Sequence, residues 1–223
     1  MSQKPNRKEP PYVALPVPVL RDNTLSIGAR ALYAAVVRRM IRHKELVTVS
    51  YRLLARDLNI GERAIGRYMK ELNDRGLFSV SRDPETECSV IRRAALSNTY
   101  PDENTKRYVK LPWVVLCDHN LELFERILYA EIVSYGIRNR NVAWPSESTM
   151  GNDLGFTRQT VSEHLKVLVQ RGLISVRRRF QNSSIYTLQP VEDVYTRSQL
   201  AEKLSTLWEK EDTNDKRPNR AGY

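Results

Sequence analysis

The stretch PSESTMGNDLGFTRQTVSEHLKVLVQRGLI, residues 145–174, decides how the chain is read. Ser146, just after Pro145, carries the hydroxyl that suits a helix N-cap, so a helix is predicted through Thr149, Met150 and Leu154. Gly155 then suits a left-handed exit from that helix. Thr157 caps a second helix that buries Val161, Leu165 and Leu168, and Arg171-Gly172 closes it with another glycine. Upstream, Leu121, Phe124, Leu128, Ile132 and Tyr135 recur at spacings of three and four, which predicts an amphipathic helix over 121–135. Downstream, 173–178 reads as a strand, 180–184 as a turn and 185–188 as the returning strand. The predicted order is helix, helix, short turn, helix, β-hairpin.

The same pattern occurs twice. Residues 12–82 align with residues 108–178 at a constant offset of 96, without a gap, and about 26 of the 71 positions are identical. Matched groups include Leu15-Pro16 with Leu111-Pro112, Asp22 with Asp118, Leu32-Tyr33-Ala34 with Leu128-Tyr129-Ala130, and Arg75-Gly76-Leu77 with Arg171-Gly172-Leu173. The first copy departs at the turn. Gly61 stands where Thr157 caps, Val49 replaces Pro145, and Gly66 falls inside the third helix at a cost of about 1 kcal/mol against alanine. Gly66 is read either as a tolerated cost offset by packing or as a place for close approach of backbone to a ligand.

Pro145-Ser146, the turn from Leu154 to Val161, and Leu168 followed by Arg171-Gly172-Leu173-Ile174 resemble the winged helix-turn-helix domains of bacterial transcription regulators, and equally those of phage and plasmid replication initiators. The resemblance spans both copies. It implies an α+β, mainly helical fold of two tandem winged helix-turn-helix domains, each of three helices and a β-hairpin wing, followed by a C-terminal helix. The expected organisation is a basic flexible arm (1–11), a first domain (12–97), a linker (98–107), a second domain (108–190), a C-terminal helix (191–210) and a disordered tail (211–223).

The charge agrees with a polyanionic partner. The 223 residues carry 36 Lys plus Arg against 26 Asp plus Glu, a net charge of +10. No apolar run follows Met1, and no stretch approaches the roughly 18 residues a membrane span needs. Cys88 and Cys117 form no disulfide framework. The expected location is the cytoplasm, in association with the nucleoid, with no membrane partner.

The resemblance implies that the third helix of each copy enters the major groove of double-stranded DNA. In the second copy it offers Arg158, Gln159, Thr160, Ser162, Glu163 and Lys166, with 158, 162 and 166 on one stripe. Arg pairs with guanine, Gln with adenine, and Glu accepts from cytosine. The first copy offers Glu62, Arg63, Arg67 and Lys70, with Tyr68 at the edge. Arg177, Arg178 and Arg179 in the second wing, and Arg82, Arg92 and Arg93 in the first, are expected on phosphates or in the minor groove; solvated strand edges are the alternative reading. Because the two sets of reading residues differ, a composite, non-palindromic site is expected, with half-sites about 10 bp apart if both heads face one side. The first copy carries about twice the net charge of the second, so it is expected to supply more of the nonspecific affinity.

Catalysis, cofactors and metals are not expected. Gly61 to Gly66 has half the spacing of a phosphate loop, but Arg67-Tyr68 stands where Lys-Ser/Thr is needed. Cys117-Asp118-His119 lacks the paired ligands of a zinc site. His164, on the third helix, reads as a packing or DNA-facing residue, and His43 lies in a basic loop. Residues 193–210 place Leu200, Leu204, Leu207 and Trp208 on one helix face, which docks on the second domain, forms a homodimer contact or holds a host protein. The expected function is a transcription regulator. The alternatives are a replication initiator or accessory protein that binds origin repeats, and a winged-helix scaffold that binds protein; Arg63, Arg67, Arg158 and Lys166 argue against the last.

Overall fold

Polar caps and left-handed exits set the helix boundaries. In the computed structural model, which describes residues 12–40, 45–84, 88–101, 105–136, 141–180 and 182–195, the hydroxyls of Ser26, Ser50, Ser146 and Thr157 accept the N–H three residues on. The first half runs β1 (Tyr12–Pro16), α1 (Val17–Leu20), α2 (Ile27–Arg39), β2 (Leu46–Val49), α3 (Tyr51–Leu58), α4 (Glu62–Asp74), β3 (Phe78–Arg82), β4 (Ser89–Arg93) and α5 (Leu96–Thr99). The second half repeats that order as β5 (Tyr108–Pro112), α6 (Trp113–Leu116), α7 (Leu123–Ser134), β6 (Val142–Ala143), α8 (Glu147–Leu154), α9 (Arg158–Gln170), β7 (Ile174–Arg179), β8 (Asn182–Leu188) and α10 (Val191–Val194).

Three small sheets accompany the helices among the described residues. The hairpin β3–β4 gains β2 in the order β2-β4-β3, and β7–β8 gains β6 in the order β6-β8-β7. The third sheet joins the halves. In it β1 pairs antiparallel with β5, Tyr12 opposite Pro112 and Pro16 opposite Tyr108. The strands at 12–16 and 108–112, and the third strand of each hairpin sheet, were not expected from the local pattern.

The predicted amphipathic helix at 121–135 is corrected. α7 starts at Leu123, and every residue from Phe124 to Ile132 is buried, including Glu125, Arg126 and Glu131. The reason is tertiary: α7 packs against α2 of the other half as well as α8, α9 and β5, so its polar side is covered too. Arg126 is satisfied inside the protein by the carbonyls of Leu116 (2.9 Å), Leu121 (3.0 Å) and Leu58 (2.9 Å). Arg30 on α2 does the same with Leu20 (3.2 Å), Leu25 (3.2 Å) and Leu154 (3.1 Å).

Tyr100, within the expected 98–107 linker, is buried, with its hydroxyl 2.7 Å from Asp22. Of the expected C-terminal helix, 191–194 is helical and Tyr195 is buried; Leu200, Leu204, Leu207 and Trp208 lie outside the described residues, as do the basic arm, the tail and His43. No helix among the described residues is long and apolar enough to cross a membrane.

Candidate nucleic-acid interface

The second-half site is built on the turn between α8 and α9. Gly155 ends α8 with φ +80°, the left-handed conformation that glycine takes at no steric cost. The Phe156 N–H then donates to the Gly151 carbonyl at 2.8 Å, and Thr157 caps α9 through the Thr160 N–H at 3.1 Å. The first-half turn reaches the same shape with Asn59 at φ +55°, but Gly61 leaves α4 without a side-chain cap. The open space around Gly66, where an added Cβ would meet nothing nearer than a Tyr51 ring carbon at 3.9 Å, shows that packing does not demand glycine there.

Val161, Leu165 and Leu168 anchor α9 in the core. That leaves Arg158, Gln159, Glu163 and Lys166 exposed, with Thr160 and Ser162 half-buried. Arg158 lies 3.2 Å from Glu147 in an exposed ion pair, and Gln159 donates to Glu163 at 3.0 Å. Both contacts are weak enough in water for a duplex to displace. On α4, Ile65, Met69 and Leu72 are buried, while Glu62, Arg63, Arg67 and Lys70 are exposed; Lys70 pairs with Asp74 at 3.0 Å.

His164 is resolved as a packing residue. Its Nδ1 lies 2.8 Å from Glu125 and its ring sits 4.5 Å from that of Phe124. Glu122, Glu125 and His164 are the potential metal ligands that converge among the described residues, rather than Cys117-Asp118-His119. Glu125 is occupied by structure: one oxygen faces His164 and the other accepts the Glu122 N–H in a capping box.

The two hairpins divide their arginines. Arg177, Arg178 and Arg179 are all exposed, but Arg179 folds back to donate to the Ser183 carbonyl at 2.7 Å. Beside them Phe180, at the hairpin tip, is 88% exposed. In the first hairpin Arg82 and Arg92 are exposed, whereas Arg93 is half-buried near Tyr33. Burial pushes the Tyr33 phenol up to about 12, and the Arg93 charge partly opposes the shift.

A buried carboxylate fixes the far end of each third helix, a role no sequence signal revealed. Asp22 accepts from Arg75 at the end of α4 (2.7 Å) and from Tyr100. Asp118 accepts from Arg171 at the end of α9 (2.9 Å) and from Tyr195 (2.8 Å). Burial alone would raise both carboxyls, but these hydrogen bonds, with those from Thr24 and Asn120, hold them below the ordinary value of 3.8. The identical Asp and Arg pairs were visible in the repeat. The tyrosines were hidden because the second hairpin is one residue shorter: Phe78 faces Arg93, but Ile174 faces Leu188.

Residues 119–174, from the loop before α7 to the start of β7, match the family model of a helix-turn-helix domain. Over this stretch the chain is similar to a helix-turn-helix domain. Its turn is the Gly155–Thr157 segment, and α9 stands in the place of its second helix. Comparison with curated proteins finds no match.

Proposed function

We propose that the chain is a non-catalytic, cytoplasmic protein that binds double-stranded DNA sequence-specifically and regulates transcription, reading a composite site with α9 and α4. The observation that carries this reading is the helix-turn-helix match over α7–α9, whose second helix turns Arg158, Gln159 and Lys166 to solvent while its opposite face is buried. The first half supports a second reader: it repeats the order of elements and presents Arg63, Arg67 and Lys70 from the equivalent helix. The net charge of +10 favours nonspecific attraction to phosphates. The second wing fits the minor groove, because exposed arginines flank an exposed Phe180 that can wedge between base steps.

Duplex selection from a random pool, followed by titration at several salt concentrations, tests the proposal. Arg158→Ala should cost about 1–3 kcal/mol at one base position and relax the preference there. Arg178→Ala should weaken all sequences alike and lower the salt slope by about one. Binding that neither variant alters, or no salt-sensitive binding by the parent, would refute it.

A further inference from the structure

A tandem duplication invites the idea that two reading heads follow each other along DNA in the same sense, as direct repeats. The way the halves dock argues otherwise. In the β1–β5 ribbon, Ala14 faces Lys110, its own counterpart in the repeat. Val13 faces Leu111 while Leu15 faces Val109, so adding 96 to one strand and subtracting it from the other returns the same pairs. The buried arginines pass the same exchange. Arg30 donates to the Leu154 carbonyl at 3.1 Å, and Arg126, its counterpart, donates to the Leu58 carbonyl at 2.9 Å. At the edges, the second-half turn carries Gly155 against Asn23, whose amide donates to the Asn152 carbonyl at 3.3 Å. The first-half turn, Asn59-Ile60, lines one cleft with His119 and Asn120.

Contacts that survive exchange of the partners define an isologous interface, the kind made by two-fold rotation. A head-to-tail arrangement would set one patch against a different one, with no return contact. A local two-fold axis therefore passes between Ala14 and Lys110, and the repeat pairs α4 with α9 across it. B-DNA has two-fold axes of its own, perpendicular to the helix, and a two-fold-related pair of readers on one duplex meets its half-sites in opposite orientations.

We infer that the DNA target is an inverted arrangement of two unlike half-sites at one fixed spacing. The inference rests on the DNA-binding reading above and adds the orientation to it. The spacing is fixed because a strand ribbon and two buried arginines join the heads.

Unlike half-sites hide their own orientation, so the test makes the readers alike. Glu62→Arg, Arg63→Gln, Ala64→Thr, Gly66→Ser and Arg67→Glu together give α4 the residues of α9 at positions that are exposed or half-buried. The reciprocal graft is Arg158→Glu, Gln159→Arg, Thr160→Ala, Ser162→Gly and Glu163→Arg. Each full-length graft selects duplexes from a random pool. The expected product is an inverted repeat, bound at least 10-fold more tightly than the same half-sites rebuilt as a direct repeat at any spacing across one turn. The parent supplies an independent readout: its hydroxyl-radical footprint should be symmetric between the two strands about one centre. Direct repeats selected by either graft, or a footprint translated along one strand, would overturn the inference while leaving DNA binding intact. A parent that occupies one half-site alone would do the same. A parent that binds no duplex would remove the DNA-binding reading and the orientation with it.

Discussion

Raising the pH from 5 to 8 should weaken the fold through the Glu131 carboxyl group. It lies on α7 at 0% exposure, and Arg21, reaching across from the first half, approaches its oxygens at 2.8 Å and 3.3 Å. Asp153 competes for the same guanidinium at 3.2 Å, and Tyr135 lies under it, hydrogen-bonded to Asp153. Burial pushes the Glu131 carboxyl up from 4.5 to about 7; Arg21 pulls it partly back and Asp153 pushes it further. Between those two values the folded protein holds a proton that the unfolded chain has released, so stability falls as pH rises through this window and levels off above it. The gap from 4.5 to about 7, at roughly 1.4 kcal/mol per unit, limits the loss to about 3 kcal/mol. Asp22 and Asp118 are held low; their contribution is lost only in acid, near and below 3.8, and adds no slope here. Asp57 is raised by burial and has the same sign as Glu131, so a control is needed. Urea unfolding of the parent and of Glu131→Gln at pH 5, 6, 7 and 8 isolates the group. The variant should gain on the parent by up to about 3 kcal/mol across the series. A difference that does not change with pH would refute the reasoning.

Other substitutions probe the scaffold and the wing. Arg126→Met strands three carbonyls and should destabilise by about 3–5 kcal/mol in urea unfolding, with Arg30→Met close to it because the two networks are equivalent; a cost under about 1 kcal/mol for either would contradict the buried role. Gly155→Ala places a side chain at φ +80° and against Asn23 at 2.9 Å, and should cost about 1–2 kcal/mol by the same assay. Phe180→Ala should leave the unfolding free energy within about 0.5 kcal/mol of the parent yet lower duplex affinity in titrations; equal affinity would take Phe180 out of the interface.

What the sequence made legible follows from how local each signal is. Ser146, Thr157, Gly155 and Gly172 act within a few residues of themselves, and the boundaries of α8 and α9 fell where those residues placed them. The exposed face of α9 was readable because Val161, Leu165 and Leu168 leave one side free. The β1–β5 ribbon was hidden because each five-residue strand finds its partner 96 residues away, although Val13, Leu15, Val109 and Leu111 carry the alternation of a strand. Charge by type was a poor guide: Arg93 turns partly inward, Arg179 braces its own hairpin, and Glu125 and Arg126 sit in the core. Packing swaps were equally silent. Phe124 and His164 pack at a tilt in the second half; at the equivalent places in the first, a Cβ on Gly28 would lie 2.1 Å from the Tyr68 ring, so the large side chain comes from the other helix.

On the proposed function, two like halves in one chain permit a kind of reader that a homodimer cannot supply. In a homodimer any change in a reading helix appears twice, so half-sites change together. Here the framework residues remain paired: Asp22 with Asp118, Arg30 with Arg126, and Arg75 with Arg171 make matching contacts in both halves. The exposed positions of α4 and α9 have separated, Arg63 against Gln159 and Arg67 against Glu163. Even the scaffold has begun to differ where symmetry does not constrain it. Asp57 holds Arg39 of its own half, whereas its counterpart Asp153 holds Arg21 of the other, because Tyr135 occupies the place of Arg39. That crossed contact ties the halves, and it sets a cation beside the buried Glu131. The Glu131 contribution to the pH dependence belongs to the second half alone, because the first half has Ala35 at the matching position.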